Sequence, residues 1–203
     1  RKRFDGNSSF TLAIDDKNVE GNRVLGLLYA ASVEGANERT PSAQTAAALK
    51  DAIMYLERAV SGAGVTADAN LQYTLGRLYI RTGATDKAVQ SLTRVLAQNP
   101  NSVQGRLALA QAFAAGKDLK SAINVLDEIL EEEPRVASAL AQYQEDAGLL
   151  KEAADTLTLA LAIQPNSRDL KVRRIAVLME AKDYAKAAGF AGDARKQHPD
   201  DPR

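Results

Sequence analysis

The 203-residue sequence has no cysteine, no tryptophan and one histidine, and only 5% of it is aromatic. Without cysteine there are no disulfides, thiolate metal sites or cysteine nucleophiles, while the redox compartment stays open. An excess of charge of one sign is also missing, because 26 Lys and Arg balance 26 Asp and Glu. No global field steers such a chain toward nucleic acid or an anionic bilayer, local patches aside, and nucleic acid is not expected as a partner. No apolar run approaches the roughly 20 residues that cross a bilayer, so no direct membrane insertion is expected. What the chain does have is Ala, Leu and Gln in excess, a composition that favours helices over sheets.

The sequence opens on Arg1 and closes on Arg203 just after a proline. Both ends read as cut, and any leader or anchor is expected outside them. The alanine-rich, cysteine-free character suits a bacterial protein, cytoplasmic or exported, without choosing a compartment.

A fixed period organises the chain. Pro100, Pro134, Pro165 and Pro199 are 34, 31 and 34 residues apart, and twelve residues before each stands Ala88, Ala122, Ala153 or Ala187. Ala52 and Gly64 repeat the spacing with glycine in place of proline. Four residues after each alanine comes Leu92, Leu126, Leu157, Ala191 or Leu56, and three further on Val95, Ile129, Ala160, Ala194 or Ala59. Steps of four and three lie on one stripe of a helix. An earlier set of anchors recurs as Leu25-Gly26 with Tyr29, Leu75-Gly76 with Tyr79 and Leu109-Ala110 with Phe113. Each offers a small slot between two bulky side chains, which is what a second helix needs to approach closely. Gly83 supplies a permissive turn between paired helices, and Pro100 ends the second of them.

The pattern resembles the tetratricopeptide repeat, in which a leucine-glycine pair, a tyrosine, an alanine, a phenylalanine and a proline recur every 34 residues. The resemblance spans about 19–199. It implies an all-α, right-handed superhelical α-solenoid of antiparallel helix pairs, about five repeats, at 19–66, 67–102, 103–134, 135–165 and 166–203. All five lack the family's tryptophan, and Leu or Ala replaces its second-helix aromatic. The first unit carries about 14 extra residues between Tyr29 and Ala52, read as a short loop plus extra turns on its second helix. There Thr40 before Pro41 is the expected cap. The fourth unit is short, with Gln144 at the tyrosine position, and its first helix is expected at about 135–147, starting late and packing less fully. The fifth has Arg174-Ile175 in place of leucine-glycine. Residues 1–18 read as the end of a preceding truncated repeat or an N-terminal extension, with a basic, solvated tip at Arg1–Phe4.

In solenoids of this kind the first helices line a concave groove that suits a peptide or helix of another protein. The groove slots implied by the resemblance fall on Arg23, Leu27, Asn70, Tyr73, Arg77, Arg81, Gln104, Gln111, Gln142, Glu145 and Asp169. Tyr73, Arg77 and Arg81 share a stripe, an aromatic platform with two cations fit for a carboxylate; the alternative is an ordinary solvated helix face. The Lys, Asn and Arg clamp of chaperone-binding members is absent, because the corresponding slots hold Arg23 and Leu27, Thr74, then Gln104 and Ala108.

No catalytic, cofactor-binding or metal residues are expected. His198 has no partner in sequence, and Glu131, Glu132 and Glu133 are read as a solvated acidic knob at a helix end, where their charge opposes the helix dipole. The glycine-rich 62–70 lacks the lysine of a phosphate loop. The expected function is a protein–protein interaction scaffold binding a peptide or helix of a partner in the concave groove, with a non-catalytic accessory or oligomerisation segment of a larger enzyme or assembly complex as the alternative.

Overall fold

The computed structural model describes residues 18–34, 42–63 and 68–197. Ten α-helices follow one another among them: α1 (Val19–Val33), α2 (Ala43–Ala63), α3 (Ala69–Thr82), α4 (Thr85–Gln98), α5 (Val103–Ala115), α6 (Leu119–Asp127), α7 (Ala137–Asp146), α8 (Leu150–Ile163), α9 (Arg168–Glu180) and α10 (Tyr184–Gln197). They pack as five antiparallel pairs, each second helix also resting on the first helix of the next pair. This is an α-solenoid in which contacts join neighbours along the chain.

A slot and a knob set each pair's approach. A Cβ on Gly76 would lie 2.6 Å from Cγ of Leu92, and one on Gly26 would lie 2.6 Å from Cγ of Leu56. Leu56, Leu92, Leu126 and Leu157 are all 0% exposed, as are Ala110 and Ala141, which carry the slot into the third and fourth pairs. The fifth pair reverses the sizes: Ile175 holds the slot position on α9 and Ala191 the knob position on α10. Exchanging large for small across a contact keeps the volume roughly constant, the kind of change a core tolerates best. Arg174 replaces the slot-flanking leucine by laying its guanidinium over the Phe190 ring, 4.3 Å from the centroid.

Between paired helices the chain reverses through a left-handed residue at Gly83, Lys117, Gly148 and Lys182, with φ of 76°, 65°, 74° and 61°. These positions repeat the 34, 31, 34 spacing of the closing prolines. At each, the next residue's N–H donates to a carbonyl five residues back: Ala84 to Tyr79, Asp118 to Phe113, Leu149 to Gln144 and Asp183 to Leu178. That bond satisfies a carbonyl otherwise orphaned at a helix C-terminus. Two of the four turns use lysine, which tolerates this backbone poorly. In those two an aspartate follows and caps the next helix, Asp118 Oδ1 accepting from the Ser121 N–H at 3.0 Å and Asp183 Oδ1 from the Lys186 N–H at 3.2 Å. Where glycine makes the turn, Ala84 and Leu149 hold the cap position with no side-chain bond.

Several local expectations change. The expected cap at Thr40 and Pro41 lies outside the described residues, and the observed one is Ser42, whose Oγ accepts from the Thr45 N–H at 3.1 Å. The extra residues of the first unit do lengthen its second helix: α2 has 21 residues where α4, α8 and α10 have 14. In the third pair α6 stops at Asp127, so Glu131 and Glu132 lie in the run of turns after it, with Glu133 just beyond, instead of ending the helix. Pro134 has no N–H to donate, and three glutamates oppose the dipole of a longer helix. The fourth unit's first helix does start late, after a 3₁₀ turn at Pro134–Val136. Its packing is nonetheless complete, with Val136, Ala137, Leu140 and Ala141 at 0% exposure. Small side chains there let the backbones approach until no gap is left.

Candidate functional site

The first-helix face is positioned by α1, α3 and α5, which contact one another in sequence along the stack. Between α1 and α3 lies a cleft of about 240 Å³ lined by Leu27, Ala30, Glu34, Arg77, Leu78 and Arg81, among others. Three of the expected groove residues, Leu27, Arg77 and Arg81, therefore meet at one place. Arg77 Nη1 reaches Glu34 Oε1 at 3.2 Å, and Arg81 Nη1 donates to the Val33 carbonyl at 2.9 Å. Both cations thus already join α3 to the C-terminal end of α1, where a positive charge also meets the dipole. The Arg77–Glu34 pair stays at the surface, with side chains 51% and 66% exposed. An exposed pair of this sort holds by about 0–1 kcal/mol, little enough for an incoming carboxylate to take Glu34's place.

The other expected residues do not join this cleft. Arg23 is bound along its own helix to Glu20, through bonds of 2.7 and 2.8 Å. The hydrogen bond and charge of Arg23 hold the Glu20 carboxyl below its usual range. Tyr73 is half-buried against the core, and Asn70 is exposed with its carbonyl accepting from Thr74 Oγ1 at 2.9 Å. Gln104 and Gln111 are exposed on α5, and Asp169 is exposed at the start of α9. Gln142 donates to Asp146 Oδ1 at 3.0 Å within α7. Glu145 is held by Arg173 of α9 at 2.7 Å, with side chains only 20% and 24% exposed, so it fastens the fourth pair to the fifth. Arg173 was invisible in the sequence, since its partner stands 28 residues away.

The second-helix face has its own polar brace, absent from the sequence reading. Glu57 of α2 accepts from the Tyr79 hydroxyl at 2.6 Å and from Lys87 Nζ at 2.9 Å, tying α2, α3 and α4 together. Lys87 also sits over the Tyr79 ring, 5.3 Å from its centroid. Burial pushes the Glu57 carboxyl up, but the bonds from Tyr79 and Lys87 outweigh it and leave the group below its ordinary value. Burial, then donation to Glu57, pushes the Tyr79 hydroxyl well up.

Among the described residues no three His, Cys, Asp or Glu side chains gather as metal ligands, and no helix is long and apolar enough to cross a membrane. His198 lies outside the described residues.

The slot-and-knob pairs, joined by left-handed turns at a shared period, define a helix-pair repeat solenoid. A tetratricopeptide repeat family profile matches residues 83–143. Residues 83–143 are thus tetratricopeptide repeat sequence, and the other helix pairs share the fold of that stretch. Cellulose synthase operon protein C of Pseudomonas fluorescens (strain SBW25) is 29% identical over 125 residues, 60% of this chain and 10% of that protein. The chain thus spans about a tenth of the length of the curated relative it matches. Among solved structures, MamA AMB-1 aligns at TM-score 0.65 and 22% identity, over 92% of this chain and 95% of that one. MamA from Desulfovibrio magneticus RS-1 aligns at TM-score 0.62 and 17% identity, over 88% and 98%. Likeness at such identity speaks to the fold.

Proposed function

We propose that the chain is a non-catalytic protein-interaction scaffold whose first-helix face holds an extended acidic segment or helix of a partner protein. One observation carries this: an exposed, exchangeable Arg77–Glu34 pair borders a cleft whose other wall is apolar, with Leu27, Ala30 and Leu78. A partner carboxylate replaces Glu34 on Arg77 while an apolar neighbour enters the cleft, and Gln104, Gln111, Asn70, Tyr73 and Arg23 extend the surface along the stack. Panning a displayed random peptide pool on the chain tests it. Enriched peptides should pair Asp or Glu with an apolar residue, lose at least about tenfold in affinity on Arg77→Glu, as when one partner of a charge pair is lost, and gain on Glu34→Gln. Enrichment indifferent to both substitutions refutes the placement.

Self-association is a second reading, favoured by apolar stripes at the two ends of the stack. Val24 and Leu28 of α1 are 44% and 61% exposed, and Val172 and Met179 of α9 are 57% and 49% exposed. Light scattering across a concentration series separates it from a monomeric scaffold.

A further inference from the structure

The outer face of α8 departs from the pattern of its counterparts. Steps of three, four and three lead from Glu152 to Asp155, Leu159 and Ala162, so these four share one stripe of the helix, with Ile163 at its edge. All five are exposed, Leu159 and Ile163 at 46% each, while Ala153, Leu157 and Ala160 on the opposite side are buried in the core. The stacking of the repeat does not call for aliphatic side chains on the outside. Six residues before the closing proline, the other stretches carry Arg94, Glu128 and Asp193 where α8 has Leu159. Two before it they carry Gln98, Glu132 and Gln197 where α8 has Ile163. Of the four stretches that lead to a proline, this one alone is apolar at both positions.

The charge on this stripe has one sign. Glu152 and Asp155, two turns and one turn before Leu159, form no ion pair among the described residues. Neither do the exposed Glu131 and Glu132, which follow Leu130, a side chain packed against the core that α8 shares with α7. Lys151 is the one cation of α8. Exposed aliphatics one turn from unpaired carboxylates therefore mark a surface that is both apolar and acidic.

We infer that this stripe receives a helix of a partner protein that carries Lys or Arg over its one half and Leu or Ile over the other. Complementary charge selects the occupant: its cations meet Glu152 and Asp155, while its aliphatics lie on Leu159, Ala162 and Ile163. A spacing of three and four is the one along which two helices lie side by side, and the small Ala162 lets the backbones approach. An acidic segment of the kind proposed for the first-helix cleft is repelled here. The scaffold thus presents two surfaces that select opposite charges.

The probe is a blocked, fluorescein-labelled alanine–glutamine helix of about 18 residues, long enough to wind in water, with Lys, Lys, Leu and Leu at steps of three, four and three. One control carries Glu in place of both lysines, another Ser in place of both leucines. Anisotropy titrations with the protein should show binding of the Lys–Leu peptide that weakens with added salt, and binding of either control at least about tenfold weaker. Leu159→Ser should weaken the Lys–Leu peptide by about tenfold or more. Glu152→Lys with Asp155→Lys should exchange the preference, losing the Lys–Leu peptide and gaining the Glu–Leu one. These positions are exposed, so the variants should keep the melting temperature of the parent. Glu34→Gln, on the first-helix face, should change nothing. Absence of binding, equal binding of the Lys and Glu peptides, or wild-type affinity in Leu159→Ser would overturn the inference. Loss of binding on Glu34→Gln would overturn it by moving the peptide to the first-helix face. Self-association of the protein alone that disappears in Leu159→Ser would overturn it by giving the stripe to a second copy.

Discussion

Replacing Gly76 by alanine tests the packing logic on a single methyl group. The added Cβ would lie 2.6 Å from Cγ and 2.8 Å from Cδ2 of Leu92, about 1 Å inside ordinary carbon contact. Leu92 is 0% exposed and has no solvent side to turn toward. Overpacking of this kind costs about 1–3 kcal/mol, while alanine gains about 1 kcal/mol over glycine in a helix interior. The net expectation is a loss of about 0–2 kcal/mol. Leu92→Ala alone should cost about 2–5 kcal/mol through the cavity it leaves. In that background the clash is gone, and Gly76→Ala should instead stabilise by about 1 kcal/mol. The cycle therefore predicts a coupling of about 1–3 kcal/mol between the two positions, read from urea melts followed by circular dichroism. Gly189→Ala is the reference, since a Cβ there meets no heavy atom within 4 Å; it should stabilise by about 1 kcal/mol. Additive effects at Gly76 and Leu92, or a Gly76→Ala gain equal to that of Gly189→Ala, would refute the slot-and-knob reading.

Other expectations follow from the turns and the brace. Lys117→Gly should raise the unfolding midpoint by relieving a left-handed lysine whose following cap, Asp118, is already in place, an effect of about 1 kcal/mol; an unchanged midpoint counts against strain there. Leu149→Asp supplies the missing cap of α8 at an exposed position and should stabilise by about 1 kcal/mol, measured in the same melts. Acid should weaken the fold through Asp118, Asp183 and Glu57, whose folded pKa values are all lowered. Their contribution is present above the unfolded carboxylate pKa and is lost as pH falls through the lower folded values. Asp118→Asn with Asp183→Asn should flatten that dependence in melts across an acidic pH series. Tyr79→Phe removes the hydroxyl bond to Glu57 and should cost about 1.5–3 kcal/mol, the range for a bond to a charged group.

The repeat was legible because spacing encodes packing: a small residue, a leucine sixteen positions on and a proline eight beyond that place one helix against another whatever the remaining side chains are. The left-handed lysines were not, since lysine carries no local sign of that backbone; only their alignment with Gly83 and Gly148 betrays them. The groove residues were legible in part. Slot arithmetic placed Leu27, Arg77 and Arg81 on one face, but not that Arg77 meets Glu34, 43 residues away, or that Glu145 is taken by Arg173. Such pairings depend on how one repeat rotates against the next, which no single helix encodes.

A cysteine-free chain allows the neighbour-only architecture to be measured directly. Spin-label pairs introduced at exposed Leu28, Gln111 and Val172, on α1, α5 and α9, give two distances from α1 by electron–electron resonance. The stack predicts a longer separation from Leu28 to Val172 than from Leu28 to Gln111, because each helix pair adds length in one direction. A shorter Leu28–Val172 distance, with the last pair folded back upon the first, would contradict it.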